Sequence, residues 1–192
     1  MRVNIIEEIR KLVEDACKKE SNYFGYGAWS HHISKVVKYS KLLARKLNAD
    51  EEICEIAALL HDYASVVNKD WYPEHHIYSA KLAEEILLKY NYPKEKLEVV
   101  KHCILSHRAS KNIPQETLEA KIVASADSMA HFDNVNSLLY LAFVIHKKNI
   151  EDGTKWVLNK LERSYKKMIP EARKIIKEKY EAIKLVLSTE KY

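Results

Sequence analysis

The sequence predicts an all-α fold, and three observations support this prediction. The chain has 192 residues but contains only three glycines and four prolines, too few for the many turns of a β-sandwich or barrel. Hydrophobic residues account for 47% and charged residues for 31%, which is typical of a globular chain with one core. Apolar residues recur at helical spacing along most of its length. We therefore expect a single helical domain spanning residues 1–192.

Helices are predicted along the first two thirds of the chain because each segment places apolar residues on one face. Ser30 is expected to cap the second helix at its N-terminus. Residues 65–75 are polar and contain Pro73, which predicts a loop. In chain order the predicted helices cover residues 3–20, 31–47, 51–64, 76–90, 91–107 and 118–132.

The last third of the chain is expected to form three more helices, broken at Asp152-Gly153 and at Pro170. In this scheme residues 29–133 form the core of the domain. Residues 134–192 form a C-terminal helical extension that packs on the core, and the first helix is likewise additional to it. The fold prediction is therefore a helical bundle with extra terminal helices.

The charge pattern predicts a solvated helix surface and argues against a large nucleic-acid-binding face. The net charge is +5, and basic residues alternate with acidic ones, as on a solvated helix surface. No clustered basic face indicates a large nucleic-acid-binding surface. No apolar run is long enough for a signal sequence or a membrane span, so we expect a cytoplasmic protein without a membrane partner. A homo-oligomer is compatible with this composition.

The three cysteines are expected to be buried free thiols. Cys17, Cys54 and Cys103 are widely spaced among apolar residues of predicted helices. They form no CxxC pair, which argues against a thiolate zinc site. Cysteine in such surroundings behaves as a small apolar residue.

Four histidine and aspartate residues on apolar helix faces are the candidate metal ligands. His61-Asp62 ends the apolar run AALL, and His61 shares the inner stripe of that helix. His32 lies on the apolar face of the second helix, and Asp127 lies among small apolar residues of the sixth. A buried imidazole or carboxylate without a partner is costly. Each residue alone fits a hydrogen-bonded core position, whereas the four together favour a divalent metal site.

This joint pattern resembles the signature of the HD superfamily, which places His, His-Asp and Asp on separate helices. The motifs here are HIxxV beginning at His32, AALLHD ending at Asp62, and the triplet ADS that contains Asp127. His32 is preferred over His31 because of its spacing to Val36. The resemblance implies an HD-domain-like helical bundle and a metal-dependent phosphohydrolase. It assigns the metal to His32, His61, Asp62 and Asp127, and it implies catalytic roles for His61 and Asp62.

Further histidines resemble the additional ligands of some HD subfamilies. His75 lies in an HxxxS element and His107 in an IxxH element. His76 and His102 are the alternatives for these two positions, and the sequence leaves both pairs open. If His75 and His107 bind metal, the site holds two ions with Asp62 between them. Otherwise the two histidines would donate hydrogen bonds to a substrate phosphate.

The resemblance also implies the cofactor and the class of substrate. Mixed nitrogen and oxygen ligands suit one or two ions of Mn, Fe, Co, Ni or Zn better than Mg or Ca. The implied substrate is a nucleotide or a related small phosphate ester or anhydride, which metal-activated water hydrolyses. Arg108, Lys111 and Lys69 are the candidate substrate-binding residues. Two alternatives remain. One is an HD-type di-iron oxygenase, and the other is a non-catalytic module in which the metal only holds the helices together.

Overall fold

The computed structural model describes residues 4–108, 111 and 113–188, and within these ranges the chain forms helices and no β-strand. The all-α prediction is therefore confirmed. The ten α-helices of these ranges are α1 Ile5–Lys18, α2 Ser34–Leu47, α3 Glu51–Leu60, α4 Tyr63–Val67, α5 His75–Lys89, α6 Lys94–Ser106, α7 Leu118–Asp133, α8 Val135–Tyr140, α9 Ile150–Lys167 and α10 Pro170–Leu187. Two π-helical turns, Ala28–Ile33 and Leu141–Ile145, and the 3₁₀ helix Lys69–Glu74 complete the helical structure of this part of the chain.

Two helix starts differ from the sequence prediction. Ser30 is not an N-cap, because it lies inside the π-helical turn that leads into α2. Its Oγ lies 2.7 Å from His31 Nδ1. Residues 65–75 are also not a plain loop, since they include the end of α4 and the 3₁₀ helix. The Asn68 side chain caps that 3₁₀ helix by accepting a hydrogen bond from Asp70 N at 3.0 Å.

The predicted break at Asp152-Gly153 is wrong, whereas the break at Pro170 is present. Both residues of the Asp152-Gly153 pair lie in the first turn of α9. The Asn149 side chain caps this turn by accepting a hydrogen bond from Asp152 N at 2.8 Å, and acidic residues in a first turn complement the helix dipole. Pro170 starts α10, a position where proline needs no hydrogen-bond partner for its nitrogen.

Helix α7 lies at the centre of the bundle. It packs against α2, α3 and α6 on one side and against α9 and α10 on the other. Close approach is possible because many of its buried residues are small. The buried residues of α7 are Ala120, Ile122, Val123, Ala124, Ser125, Ala126, Ser128, Met129, Ala130 and Phe132. Asp127 therefore lies at the middle of the fold, within reach of side chains from the surrounding helices.

The C-terminal helices cover the second side of α7. Phe132 of α7 meets the ring of Tyr180 edge-on, with centroids 5.8 Å apart. Tyr180 in turn stacks on Tyr165 at 4.1 Å. The division of the chain into a core at 29–133 and an extension at 134–192 stays a prediction. No helix in the described part of the chain is long and apolar enough to cross a membrane.

The three cysteines are free and buried, as predicted. Burial raises the pKa of Cys17 and of Cys103 to about 12 each, and it raises the pKa of Cys54 as well. Thiols with raised pKa values and no solvent access are chemically inert.

Gly153 makes the close packing between α9 and the second π-helical turn possible, and its replacement by alanine is expected to destabilise the protein. A Cβ at this position would overlap the ring of Phe143. Alanine normally favours a helix by ~1 kcal/mol, but overpacking costs about 1–3 kcal/mol. We expect Gly153→Ala to lower the free energy of unfolding, measured by denaturant titration. The control is Gly27→Ala, whose Cβ would lie 3.9 Å from His31 Nδ1. A Gly153→Ala protein as stable as the wild type would contradict this account.

Candidate metal centre

The structure brings His32, the adjacent pair His61-Asp62 and Asp127 together from three different parts of the chain. His32 Nε2 lies 3.2 Å from His61 Nε2, 3.3 Å from Asp62 Oδ2 and 3.5 Å from Asp127 Oδ1. His32 comes from the π-helical turn before α2, and such turns occur frequently at functional sites. His61 and Asp62 lie between α3 and α4, and Asp127 lies on α7.

A second set of ligand atoms adjoins the first. Asp62 Oδ1 lies 3.1 Å from His75 Nε2 and 3.9 Å from His107 Nε2. His75 begins α5, and His107 directly follows α6. The Asp62 carboxylate therefore faces both sets, with Oδ2 towards His32 and His61 and Oδ1 towards His75 and His107. In each of the sets His32/His61/Asp127 and Asp62/His75/His107, the ligand atoms lie within 4.8 Å of one another.

The orientation of the imidazole rings fits a metal ion. The Nδ1 atoms of His61, His75 and His107 lie 2.6–2.8 Å from the backbone oxygens of Ala58, Tyr72 and Ile104. A carbonyl oxygen only accepts, so each Nδ1 donates, and the Nε2 of the neutral ring carries a lone pair. The Nε2 atoms of His75 and His107 are 3.2 Å apart. Two facing lone pairs need a cation between them, and two nitrogens bound to one zinc-like ion would lie about 3 Å apart.

The two carboxylates are held in the ionised form. Burial acts to raise the pKa of Asp62, but the neighbouring His61 and His75 hold it well below its usual range. Burial likewise acts to raise the pKa of Asp127, which His131 and Lys167 nevertheless bring far below its ordinary value. Ionised carboxylates are the form that coordinates a metal.

The histidines differ in their protonation. Burial, followed by repulsion from His61 and His75, brings the pKa of His107 well below its usual value, and burial also lowers the pKa of His75. These two rings are therefore neutral, as metal ligands must be. His61 is completely buried. Burial acts to lower its pKa, but Asp62 outweighs this effect and raises the pKa to about 9 without metal. A metal ion would displace that proton.

The structure shows which of the alternative histidines lie in the second ligand set. His75 and His107 point into the set. His76 lies on another face of α5, where its Nε2 is 3.8 Å from Glu74 Oε2. His102 Nε2 accepts a hydrogen bond from Glu116 N at 3.0 Å. Neither His76 nor His102 therefore reaches the ligand cluster. His31, adjacent to His32, is exposed.

Every residue of the two ligand sets except the completely buried His61 lines a cavity of about 680 Å³, a volume suited to a small organic ligand. Of the three predicted substrate-binding residues, Arg108 lines this cavity, and its guanidinium donates to Pro73 O.

The other two predicted substrate-binding residues lie elsewhere. Lys111 is exposed and forms an ion pair with Glu74 at 2.6 Å. Lys69 lies 5.6 Å above the Tyr23 ring, beside a smaller cavity of about 280 Å³. Neither residue lines the cavity of the two ligand sets. Their role in substrate binding therefore stays a prediction from their closeness in sequence to the ligands.

The structure adds cationic residues that the sequence prediction missed. Lys160, Arg163 and Lys167 of α9 line the cavity. Lys167 Nζ lies 3.8 Å from Asp127 Oδ2 and donates to His107 O. The available signal was the spacing 160, 163, 167, which places all three residues on one helix face. The same spacing is also typical of an ordinary solvated face, so the spacing alone does not predict a cavity.

His131 is a further residue at the site that the sequence prediction missed. It lies one helical turn after Asp127, with its Nε2 3.6 Å from Asp127 Oδ1. Its ring stacks on that of His32, with centroids 5.1 Å apart and an interplanar angle of 10°. His131 therefore orients two members of the first ligand set. The signal that could have revealed it is the four-residue spacing from Asp127.

Solved structures with the same fold are known. Bacillus subtilis YpgQ superposes with a TM-score of 0.73 at 20% identity, covering 97% of this chain and 93% of YpgQ. The structure of B. subtilis YpgQ in complex with ADP gives a TM-score of 0.72, with the same identity and coverage. Structural similarity at 20% sequence identity establishes that this chain and YpgQ share a fold.

Sequence comparison identifies the family. An uncharacterised protein of Clostridium beijerinckii is 32% identical over 83 residues, or 42% of this chain and 53% of the relative. The match thus spans about half the length of that curated relative. The sequence model of the HD domain matches residues 29–131, which is more than half of the chain and contains every residue of the two ligand sets. The chain therefore belongs to the HD domain family.

Proposed function

We propose that the protein is a metal-dependent phosphohydrolase that acts on a nucleotide or a related small phosphate ester or anhydride. The observation that carries this proposal is the pair of adjoining ligand sets, linked by Asp62, on the wall of a cavity. Membership of the HD domain family, a group of metal-dependent hydrolases, supports the reaction class.

The ligand sets define where metal would bind. His32, His61 and Asp127 would hold one ion, His75 and His107 would hold another, and Asp62 would contribute one oxygen to each. The mixture of nitrogen and oxygen donors suits Mn, Fe, Co, Ni or Zn. A divalent ion at such a site polarises a phosphoryl oxygen and makes a bound water more acidic.

Residues of the chain itself would bind and orient the substrate. Arg108 and Lys167 place positive charge at the cavity wall beside the ligand sets, where a phosphoryl group would lie. Lys167 also fixes Asp127, because its ammonium group contacts Oδ2. His131 holds Asp127 from the other side. These contacts pre-organise the site, so little rearrangement is needed when the substrate binds.

The rest of the cavity favours an organic group attached to the phosphate. Its wall includes aromatic and aliphatic side chains from several elements. These are Phe24, Tyr72, Leu138, Tyr140, Leu141 and Trp156. Such a lining suits a nucleoside better than inorganic phosphate alone. The ADP complex of YpgQ, which shares the fold, agrees with this choice.

The proposal is tested by measuring phosphate and pyrophosphate release from AMP, ADP, ATP and p-nitrophenyl phosphate with added Mn²⁺, Co²⁺ or Ni²⁺. We expect hydrolysis of at least one nucleotide that stops when EDTA is added. Iron binding with dioxygen consumption and no phosphate release would instead support the di-iron oxygenase. Bound metal with neither activity would support a structural metal site. Either result would overturn the proposed function.

His75 and His107 are expected to be required for the second ion. Replacing either by alanine should reduce the metal content by about one ion per chain, because each removal leaves the second set short of a nitrogen ligand. The matched controls are His76→Ala and His102→Ala, whose imidazoles lie outside the ligand sets. The measurement is elemental analysis after reconstitution with Mn²⁺. Equal losses in all four variants would show that His75 and His107 have no special role.

A further inference from the structure

Helix α9 presents one polar face to the cavity. The side chains of this face recur every three or four residues, as expected for one side of a helix. They are Trp156, Lys160, Arg163, Ser164 and Lys167, and all line the cavity. Val157 and Leu161 of the same helix are buried in the hydrophobic core. The cationic residues of this face therefore belong to the cavity wall.

The two lysines of this face differ in their partners. Lys167 is neutralised by Asp127 and donates to the His107 carbonyl oxygen. Lys160 is half-buried, and among the residues that the structure describes no carboxylate lies within 4.0 Å of its Nζ. Burial lowers the pKa of Lys160, and the charges of Arg163 and Arg108 add to this effect, although Asp127 and Asp62 act in the opposite direction. An ammonium group in this position favours an anionic ligand.

The position of Lys160 identifies which part of a ligand it would contact. Lys160 and Lys167 are seven positions apart, or about 10 Å along a helix axis. Side chains of a helix lean in the same direction, so their ammonium groups serve different points of one bound molecule. Lys167 lies at the ligand sets. Lys160 lies further along the cavity, towards Trp156, and Arg163 lies between the two lysines.

We propose that Lys160 and Arg163 form an anion subsite that binds a second phosphoryl group of the substrate, one that lies away from the metal centre. This inference rests on the proposed function and specifies its substrate class: a molecule with at least two phosphoryl groups, such as a nucleoside diphosphate or triphosphate. Ser164 is buried on the same face and lines the cavity, so its hydroxyl is available to the same anion. Lys167 acts as a positioning residue for Asp127.

The first test measures binding without metal. Inorganic triphosphate and inorganic phosphate are titrated by calorimetry into the full chain in EDTA, using the wild type, Lys160→Gln and Arg163→Gln. The control is Lys155→Gln, an exposed lysine of the same helix that does not line the cavity. We expect Lys160→Gln to weaken triphosphate binding on the order of tenfold, since a hydrogen bond to a charged group is lost. Arg163→Gln should weaken it less, because Arg163 is exposed. The control should bind like the wild type.

The second test measures kinetics with Mn²⁺. Lys160→Gln should raise KM for the di- or triphosphate substrate with little change in kcat, and it should leave p-nitrophenyl phosphate hydrolysis unchanged. Wild-type protein that does not bind triphosphate, or equal affinities for wild type and Lys160→Gln, would overturn the subsite. If triphosphate binding depends on Lys160 but no substrate is hydrolysed, the proposed function is overturned and the anion subsite is still supported. Circular dichroism melting confirms that each variant is folded.

Discussion

Replacing Asp62 by asparagine is expected to lower the rate of phosphate release by at least about a thousandfold. Asp62 is the residue whose two oxygens face both ligand sets, so its charge would be shared by both ions. Metal ions contribute several kcal/mol of transition-state stabilisation, and each 1.36 kcal/mol corresponds to about tenfold in rate. Asparagine keeps the shape of the side chain but removes the charge. The measurement is kcat on the best nucleotide substrate at saturating Mn²⁺.

The control for this experiment is Asp70→Asn. Asp70 is an exposed carboxylate of the nearby 3₁₀ helix and belongs to neither ligand set. It should retain wild-type activity. If Asp62→Asn is folded and keeps more than about a tenth of the wild-type rate, the Asp62 carboxylate is not part of the reaction centre.

Metal binding is expected to raise the melting temperature by roughly 10 °C. A ligand at a thousandfold excess over its Kd stabilises the folded state by about 4 kcal/mol, and for a chain of this size each kcal/mol shifts the melting temperature by about 2–4 °C. The structural reason is the facing lone pairs of His75 and His107, together with two ionised carboxylates, which a divalent cation neutralises. The measurement is calorimetric melting with Mn²⁺ and with EDTA.

Two comparisons make the thermal experiment specific. Asp62→Asn should lose most of the metal-induced shift, since it removes charge from both sets. Ca²⁺ at the same concentration should stabilise the wild type much less, because it prefers all-oxygen ligands. Identical melting curves in Mn²⁺ and EDTA would mean that these residues do not form a metal centre in solution.

The ligand residues were predictable because they are encoded locally. His61 follows an uninterrupted apolar run, so helical periodicity alone directs its imidazole inward, and Asp127 is a single charge within a stretch of small apolar residues. The order of the motifs then linked these separate helices. The choice of His75 over His76 needed the structure, because adjacent positions on a helix differ in direction by only about 100°. The choice of His107 over His102 needed it as well, because His107 directly follows the helix that contains His102.

The cationic part of the site was not predictable for a different reason. Lys160 and Lys167 lie about 30 residues or more from the last motif residue along the chain, and only the packing of α9 against α7 brings Lys167 to Asp127 and Lys160 to the cavity wall. Lysines and arginines on an amphipathic helix look the same in sequence whether they face solvent or a cavity. Lys111 lies only four residues after His107 along the chain, yet it does not line the cavity and pairs with Glu74.

Counting the metal ions in the wild-type protein is the most direct test of the metal centre. The protein is purified without added metal, reconstituted with Mn²⁺ or Co²⁺, freed of unbound ions and measured by elemental analysis. The two ligand sets predict about two divalent transition-metal ions per chain, and Asp62→Asn should lose them. A wild-type chain that holds no metal after reconstitution would contradict the metal centre and, with it, the proposed phosphohydrolase.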